Sequence, residues 1–142
     1  MNDTEIAKAE LGDHSICICK NGVFFTDDGR GISPMMRFIA EGLDMSGSYA
    51  ADVIVGKAAA MLFVKAGIAE VYGRVMSAAA RDYLTDRGIP CSCGTLTDRI
   101  INRSGDDVCT MEKTVADIDD PEEGYRALRA RLSEMRRGGT NV

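Results

Sequence analysis

The chain has 142 residues, 45% of them hydrophobic and 27% charged, and a net charge of −5. That is the make-up of one ordinary globular domain, long enough to bury a core. The acidic balance excludes broad binding to nucleic acid or to an anionic membrane surface, and no apolar run approaches the ~20 residues of a membrane span.

The first residues, MNDTEIAKAE, contain no signal-peptide core, so the expected compartment is the cytoplasm. There the five cysteines stay reduced, and structural disulfides are not expected. Residues 4–11 read as an amphipathic helix or turn, although 1–10 and 137–142 are expected to be flexible ends of one domain spanning 1–142. The run HSICICK alternates, with His14, Ile16 and Ile18 on one face and Ser15, Cys17 and Cys19 on the other. Asn21-Gly22 is a strong hairpin signal, and VFFT returns as the second strand. Ser33-Pro34 then starts a helix over 34–43, as a cap followed by proline at the first helical position.

The middle of the chain is the most regular part. ADVIV reads as a buried strand, and GKAAAMLFVKA as a helix buried on most faces, closed by Gly67. AEVYG is the next strand, Ser77 caps the helix AAARDYLTDR, and PCSCG is the third strand. This β-α-β-α-β order requires parallel strands. Beyond Gly94 the pattern weakens to a loop at 104–107 and a helical start over 109–115. Asp120-Pro121-Glu122-Glu123 then caps a last helix with Tyr125, Leu128 and Leu132 on one face. The arginines of RALRARLSEMRR, preceded by the acids of DIDDPEE, fit a solvated face of that helix. The expected fold is α/β, with helices on both faces of a mixed sheet.

In such sheets ligands bind beyond the carboxyl ends of the parallel strands. Each of the three strands is expected to end in glycine, at Gly56, Gly73 and Gly94. The helix starts at Lys57 and Ser77 offer free N–H groups and a positive dipole end to an anion, and Lys57 adds a charge.

The stretch Pro90-Cys91-Ser92-Cys93 is one residue short of Pro-Cys-x-x-Cys, half of the nucleobase-deaminase zinc signature. That chemistry needs three strong ligands and a carboxylate acid/base. The sole histidine, His14, lies in the hairpin, and Gly56-Lys57-Ala58 stands where His-x-Glu would open a helix. Cys17, Cys19, Cys91 and Cys93 therefore read as small core residues on strands. Cys109 falls at a loop-to-helix junction near Arg103 and Lys113. It is either a packed helix-start residue or a thiol activated by the helix N-terminus.

The runs GKAAAMLFVKAGIAEVYGRVMS, IINRSGDDVCTMEK and DIDDPEE resemble a family of small uncharacterised prokaryotic proteins in the cytidine-deaminase-like superfamily. The resemblance covers roughly residues 10–135. It implies a three-layer α/β/α fold, no deaminase zinc ligands and no cofactor. It carries over Asn102, Arg103, Gly105, Cys109, Glu112 and Lys113 as candidate site residues. Arg30 and Gly31, in the turn DDGRGISP, join them on chemical grounds as a cation beside a flexible backbone.

Two functions are consistent with these readings. The first is a zinc-free binding module that holds a nucleotide or another small anionic ligand over Gly56, Lys57 and Ser77, with Arg30, Asn102 and Arg103 supplying contacts. The second is a thiol-dependent enzyme or sulfur carrier in which Glu112, Lys113 and Arg103 tune Cys109. A homodimer is neither required nor excluded by the sequence.

Overall fold

A computed structural model describes residues 2–138. In chain order the elements are α1 (Asp3–Leu11), β1 (Ile16–Lys20), β2 (Val23–Asp27), α2 (Ser33–Ala40), β3 (Tyr49–Val55) and α3 (Lys57–Ala66). They continue with β4 (Glu70–Ser77), α4 (Ala78–Asp86), β5 (Cys91–Thr97), α5 (Thr110–Val115) and α6 (Pro121–Arg137). The strands form one mixed five-stranded sheet in the order β2-β1-β3-β4-β5. β1 is antiparallel to both β2 and β3, while β3, β4 and β5 are mutually parallel. This is the three-layer α/β arrangement expected from the sequence.

The alternation of HSICICK separates the two cores. Ile16 and Ile18 enter the main core with the buried residues of α2, α3, α4, α5 and α6. Cys17 and Cys19 point the other way, into a small cluster with Ala51 and with Ala7 and Leu11 of α1. Among the described residues, one face of the sheet thus carries five helices and the other carries α1. The first ten residues differ from the loose end expected of them. Asn2 caps α1 by accepting from the Glu5 N–H, and Ala7 and Leu11 are completely buried. Residues 139–142 of the expected loose tail lie outside the described residues.

The hairpin forms as read, with Asn21 and Gly22 both at positive φ, 53° and 80°. Three elements have boundaries that move. α2 stops at Ala40, and its cap is Ile32 rather than Ser33. β4 and β5 run past Gly73 and Gly94, which lie mid-strand and do not end the strands as expected. The reason is close approach. A Cβ at Gly73 would sit 2.9 Å from Val55 Cγ2 and 3.0 Å from the Val75 carbonyl, and one at Gly94 would sit 2.9 Å from the Arg74 carbonyl. A glycine inside a strand marks such crowding as readily as it marks an end.

Gly73 also coincides with a slip in the side-chain pattern. Ala50 and Val55 of β3, five residues apart, both enter the main core, as do Val71 and Met76 of β4. Strict alternation would send them to opposite faces. Asp52 sits at this slip, paired with Ile16 on one side and Gly73 on the other. It is a buried carboxyl on a central strand, and its oxygen accepts from the Ile54 N–H at 3.3 Å. Burial pushes its pKa up to about 7, against the opposing pull of the Ile54 and Val53 N–H groups. Among the described residues no helix is long and apolar enough to cross a membrane.

Candidate functional cleft at the strand carboxyl ends

β3 and β4 deliver their chains into α3 and α4 side by side, so both helix starts face the carboxyl end of the sheet. A cleft of about 360 Å³ opens there. Lys57 and Ser77 stand at its floor, Ala79, Asp82, Tyr83 and Asp86 of α4 form one wall, and Asp98, Arg99 and Ile100 beyond β5 another. Val108, Glu112, Ala116 and Asp119 close it. Its volume lies within the ~300–1,000 Å³ common for small-molecule sites.

The start of α3 is not open as the sequence suggested. Glu112 reaches across from α5 and accepts from the backbone N–H groups of Lys57 (2.8 Å) and Ala58 (2.9 Å). Position 56 is glycine for the same reason, because a Cβ there would lie 2.5 Å from the Glu112 carboxyl carbon. The Lys57 amine points back and donates to the carbonyls of Val115 (2.9 Å) and Ala116 (3.1 Å) at the end of α5. A carboxylate thus fills the positive end of α3, and an ammonium fills the negative end of α5. Burial pushes the Glu112 carboxyl up, against the pull of the Ala58 and Lys57 N–H groups and the Lys57 charge.

The start of α4 is capped within the chain. Ser77, almost completely buried, accepts from the Ala80 N–H at 3.0 Å. Above it the lining carries five carboxylates, Asp82, Asp86, Asp98, Glu112 and Asp119, against two cations, Lys57 and Arg99. Arg87 lies beside this wall, its guanidinium 4.0 Å from the Tyr83 ring centroid and bonded to the Asp119 carbonyl at 2.6 Å. Tyr83 donates to the same carbonyl at 2.7 Å.

The other residues singled out from sequence lie elsewhere. Asn102, Arg103 and Gly105 belong to a small hairpin closed by the Ile101–Val108 bridge, outside the cleft lining. Asn102 organises that turn, donating to the Asp106 carboxylate at 3.0 Å and accepting from the Asp106 N–H at 3.3 Å. Arg103 is exposed on it. Lys113 pairs with Asp107, whose carboxyl this bond holds below the usual range. Cys109 does stand at the loop-to-helix junction, as the N-cap of α5, half-buried against the main core. The side chains expected to tune it are turned to Asp107 and to α3. Arg30 and Gly31 stand in the turn beyond β2, at the far edge of the sheet.

The cleft residues that sequence reasoning missed are Asp82, Tyr83, Asp86, Asp98, Arg99 and Asp119. A signal existed for the first three: with Ala79 they repeat at i, i+3, i+4 and i+7, one face of a helix.

These positions can be set against known proteins. The family described as TM1506, a domain of unknown function (DUF1893), matches residues 6–132. The chain belongs to the DUF1893 family. A solved relative, the DUF1893 family protein TM1506 from Thermotoga maritima, is 25% identical with a TM-score of 0.80. The similarity covers 89% of this chain and 86% of that one. No curated protein matches the sequence.

In this DUF1893 chain the starts of α3 and α4 lack the strong ligands that a zinc ion needs. They carry Gly56, Lys57 and Ala58, and Ser77, Ala78 and Ala79, none of which supplies an imidazole or thiolate. Cys91 and Cys93 lie on β5, half-buried against the main core. The residues do not fit the ion.

Proposed function

We propose that the chain is a zinc-free, cytidine-deaminase-like binding module whose cleft takes a nucleobase or nucleoside. The observation that carries this reading is the composition of the cleft, a pocket of small-ligand size in which Glu112 caps α3, Asp82 pairs with Arg81 and Asp119 with Arg87, while Asp86 and Asp98 have no ion-pair partner among the described residues. Carboxylates accept hydrogen bonds from exocyclic amino groups and ring N–H groups, the donors that distinguish one base from another. The α3 N–H groups that suggested a phosphate already hold Glu112, and the Lys57 amine already holds α5. The expected nucleotide or other small anion is set aside here in favour of a neutral base or nucleoside. A single phosphate has Arg99 within the lining to meet it, whereas a triphosphate faces net repulsion. The acidic surface also supports a reading in which neither nucleic acid nor membrane is a partner.

Thermal-shift measurements with the four common nucleosides and their triphosphates test the proposal. At least one nucleoside should raise the melting temperature more than its triphosphate does, and Asp98→Asn and Asp86→Asn should reduce that rise. If no nucleoside raises it at millimolar concentration, or if triphosphates stabilise more strongly than nucleosides, the proposal fails.

A further inference from the structure

Most polar side chains of the cleft are spent inside the chain. Glu112, Lys57 and Ser77 act as helix caps, Asp82 and Asp119 are in ion pairs, and the Tyr83 hydroxyl donates to a carbonyl. Among the described residues, the polar side chains of the lining left without an ion pair or hydrogen bond are Asp86, Asp98 and Arg99. Asp98 and Arg99 follow β5 in immediate succession on one wall, and Asp86 ends α4 on the other. All three are exposed, so engaging them costs little desolvation.

A carboxylate has acceptors only, two oxygens that take a pair of parallel N–H bonds best. Guanine can supply that pair, because its N1–H and its N2 amino group stand side by side and point the same way. In adenine and cytosine the amino group stands beside a ring nitrogen that accepts, so the second carboxylate oxygen meets a lone pair. Uracil has one N–H between two carbonyls. The adjoining edge of guanine presents O6 and N7, the acceptors that an arginine fork grips. A carboxylate and a guanidinium that are neighbours on one wall therefore offer what two adjoining edges of guanine require.

We propose that the cleft selects guanine, with Asp98 accepting from N1–H and the N2 amino group and Arg99 donating to O6 and N7. This rests on the nucleoside reading of the cleft and names the base. Asp86, on the facing wall, accepts from ribose hydroxyls, donors that all nucleosides share. Asp98 is thus a specificity-determining residue, whereas Asp86 binds without discriminating. Water competes for bonds to exposed groups, so the preference falls at the lower end of the range for a bidentate base contact, about five- to tenfold.

Isothermal titration of the full chain with guanosine, inosine, adenosine, cytidine and uridine tests this. Guanosine should bind about five- to tenfold more tightly than each of the others. Inosine lacks only the N2 amino group and reads the second bond to Asp98, and 7-deazaguanosine, which lacks N7, should lose affinity through Arg99. Asp98→Asn replaces one acceptor by a donor, the pattern that suits adenine. It should weaken guanosine about five- to tenfold and remove its lead over adenosine. Asp86→Asn should weaken all the nucleosides by a similar factor. If nucleosides bind but either analogue equals guanosine, or if Asp98→Asn leaves guanosine first, the choice of guanine is overturned and the nucleoside cleft stands. If none of them binds, both are overturned.

Discussion

Glu112 and Lys57 cap each other's helices. The Glu112 carboxylate accepts from the first N–H groups of α3, and the Lys57 amine donates to the last carbonyls of α5. This exchange fixes a six-residue helix, too short to be stable alone, against the helix that fills the core. It also forms the floor of the cleft.

Breaking the exchange should loosen α5 and the cleft together. Glu112→Gln should cost about 1–3 kcal/mol in urea unfolding, because charge-assisted bonds to buried N–H groups are lost. Lys57→Met should cost about 0.5–1.5 kcal/mol. The double variant should cost less than the sum, since the side chains act on the same helix pair. Strict additivity would mean that the two caps are independent.

Gly56→Ala tests the same contact from the backbone side. A Cβ there would displace the Glu112 carboxyl, so the substitution should destabilise the protein by about 1–3 kcal/mol. In a Glu112→Ala background the obstacle is gone, and the cost should fall to about 0.5–1 kcal/mol, that of alanine in place of glycine at an N-cap. An undiminished penalty there would show that Glu112 is not the constraint.

Asp52 should make stability depend on pH in the direction opposite to that of a salt-bridged carboxylate. Its folded pKa, about 7, lies above the ordinary value of 3.8. Between those values the folded state keeps a proton that the unfolded state has lost. Its contribution therefore falls as pH rises through that window and is flat above it. Asp52→Asn keeps the acceptor for the Ile54 N–H and removes the ionisation. It should match wild type near pH 4 and exceed it near pH 8, by a few kcal/mol at most. Parallel pH profiles for the two proteins would contradict this.

The thiols should separate into two groups. Burial under α1 pushes the Cys17 thiol up to about 11, and Cys19 is raised for the same reason. Iodoacetamide at about pH 8 should leave both unmodified in the native protein and label them only after denaturation. Cys91, Cys93 and Cys109, which are half-buried, should react first. Native labelling of Cys17 at a comparable rate would show that α1 does not stay docked.

Much of the fold was legible because local signals and packing agreed. The alternation around Ile16, the Asn21-Gly22 turn, the Gly67 cap and the Asp120-Pro121 start each have one physical solution. Gly73 and Gly94 misled because crowding inside a sheet and a strand end both call for glycine. Asp52 was hidden because ADVIV reads as an apolar run around a single carboxylate. The cleft was only half legible. Lys57 and Ser77 follow from strand-helix grammar, but Glu112 lies 55 residues from Lys57, a pairing that no local pattern displays.

The most direct test of the cleft reading is an amide chemical-shift titration of the labelled protein with the nucleoside that stabilises it best. Saturable shifts should appear at Ser77, Ala79, Tyr83, Val108 and Glu112, while the hairpin around Asn102 and the turn at Arg30 stay unchanged. Shifts centred on Arg30 or Arg103, or none in the cleft at saturating ligand, would contradict it.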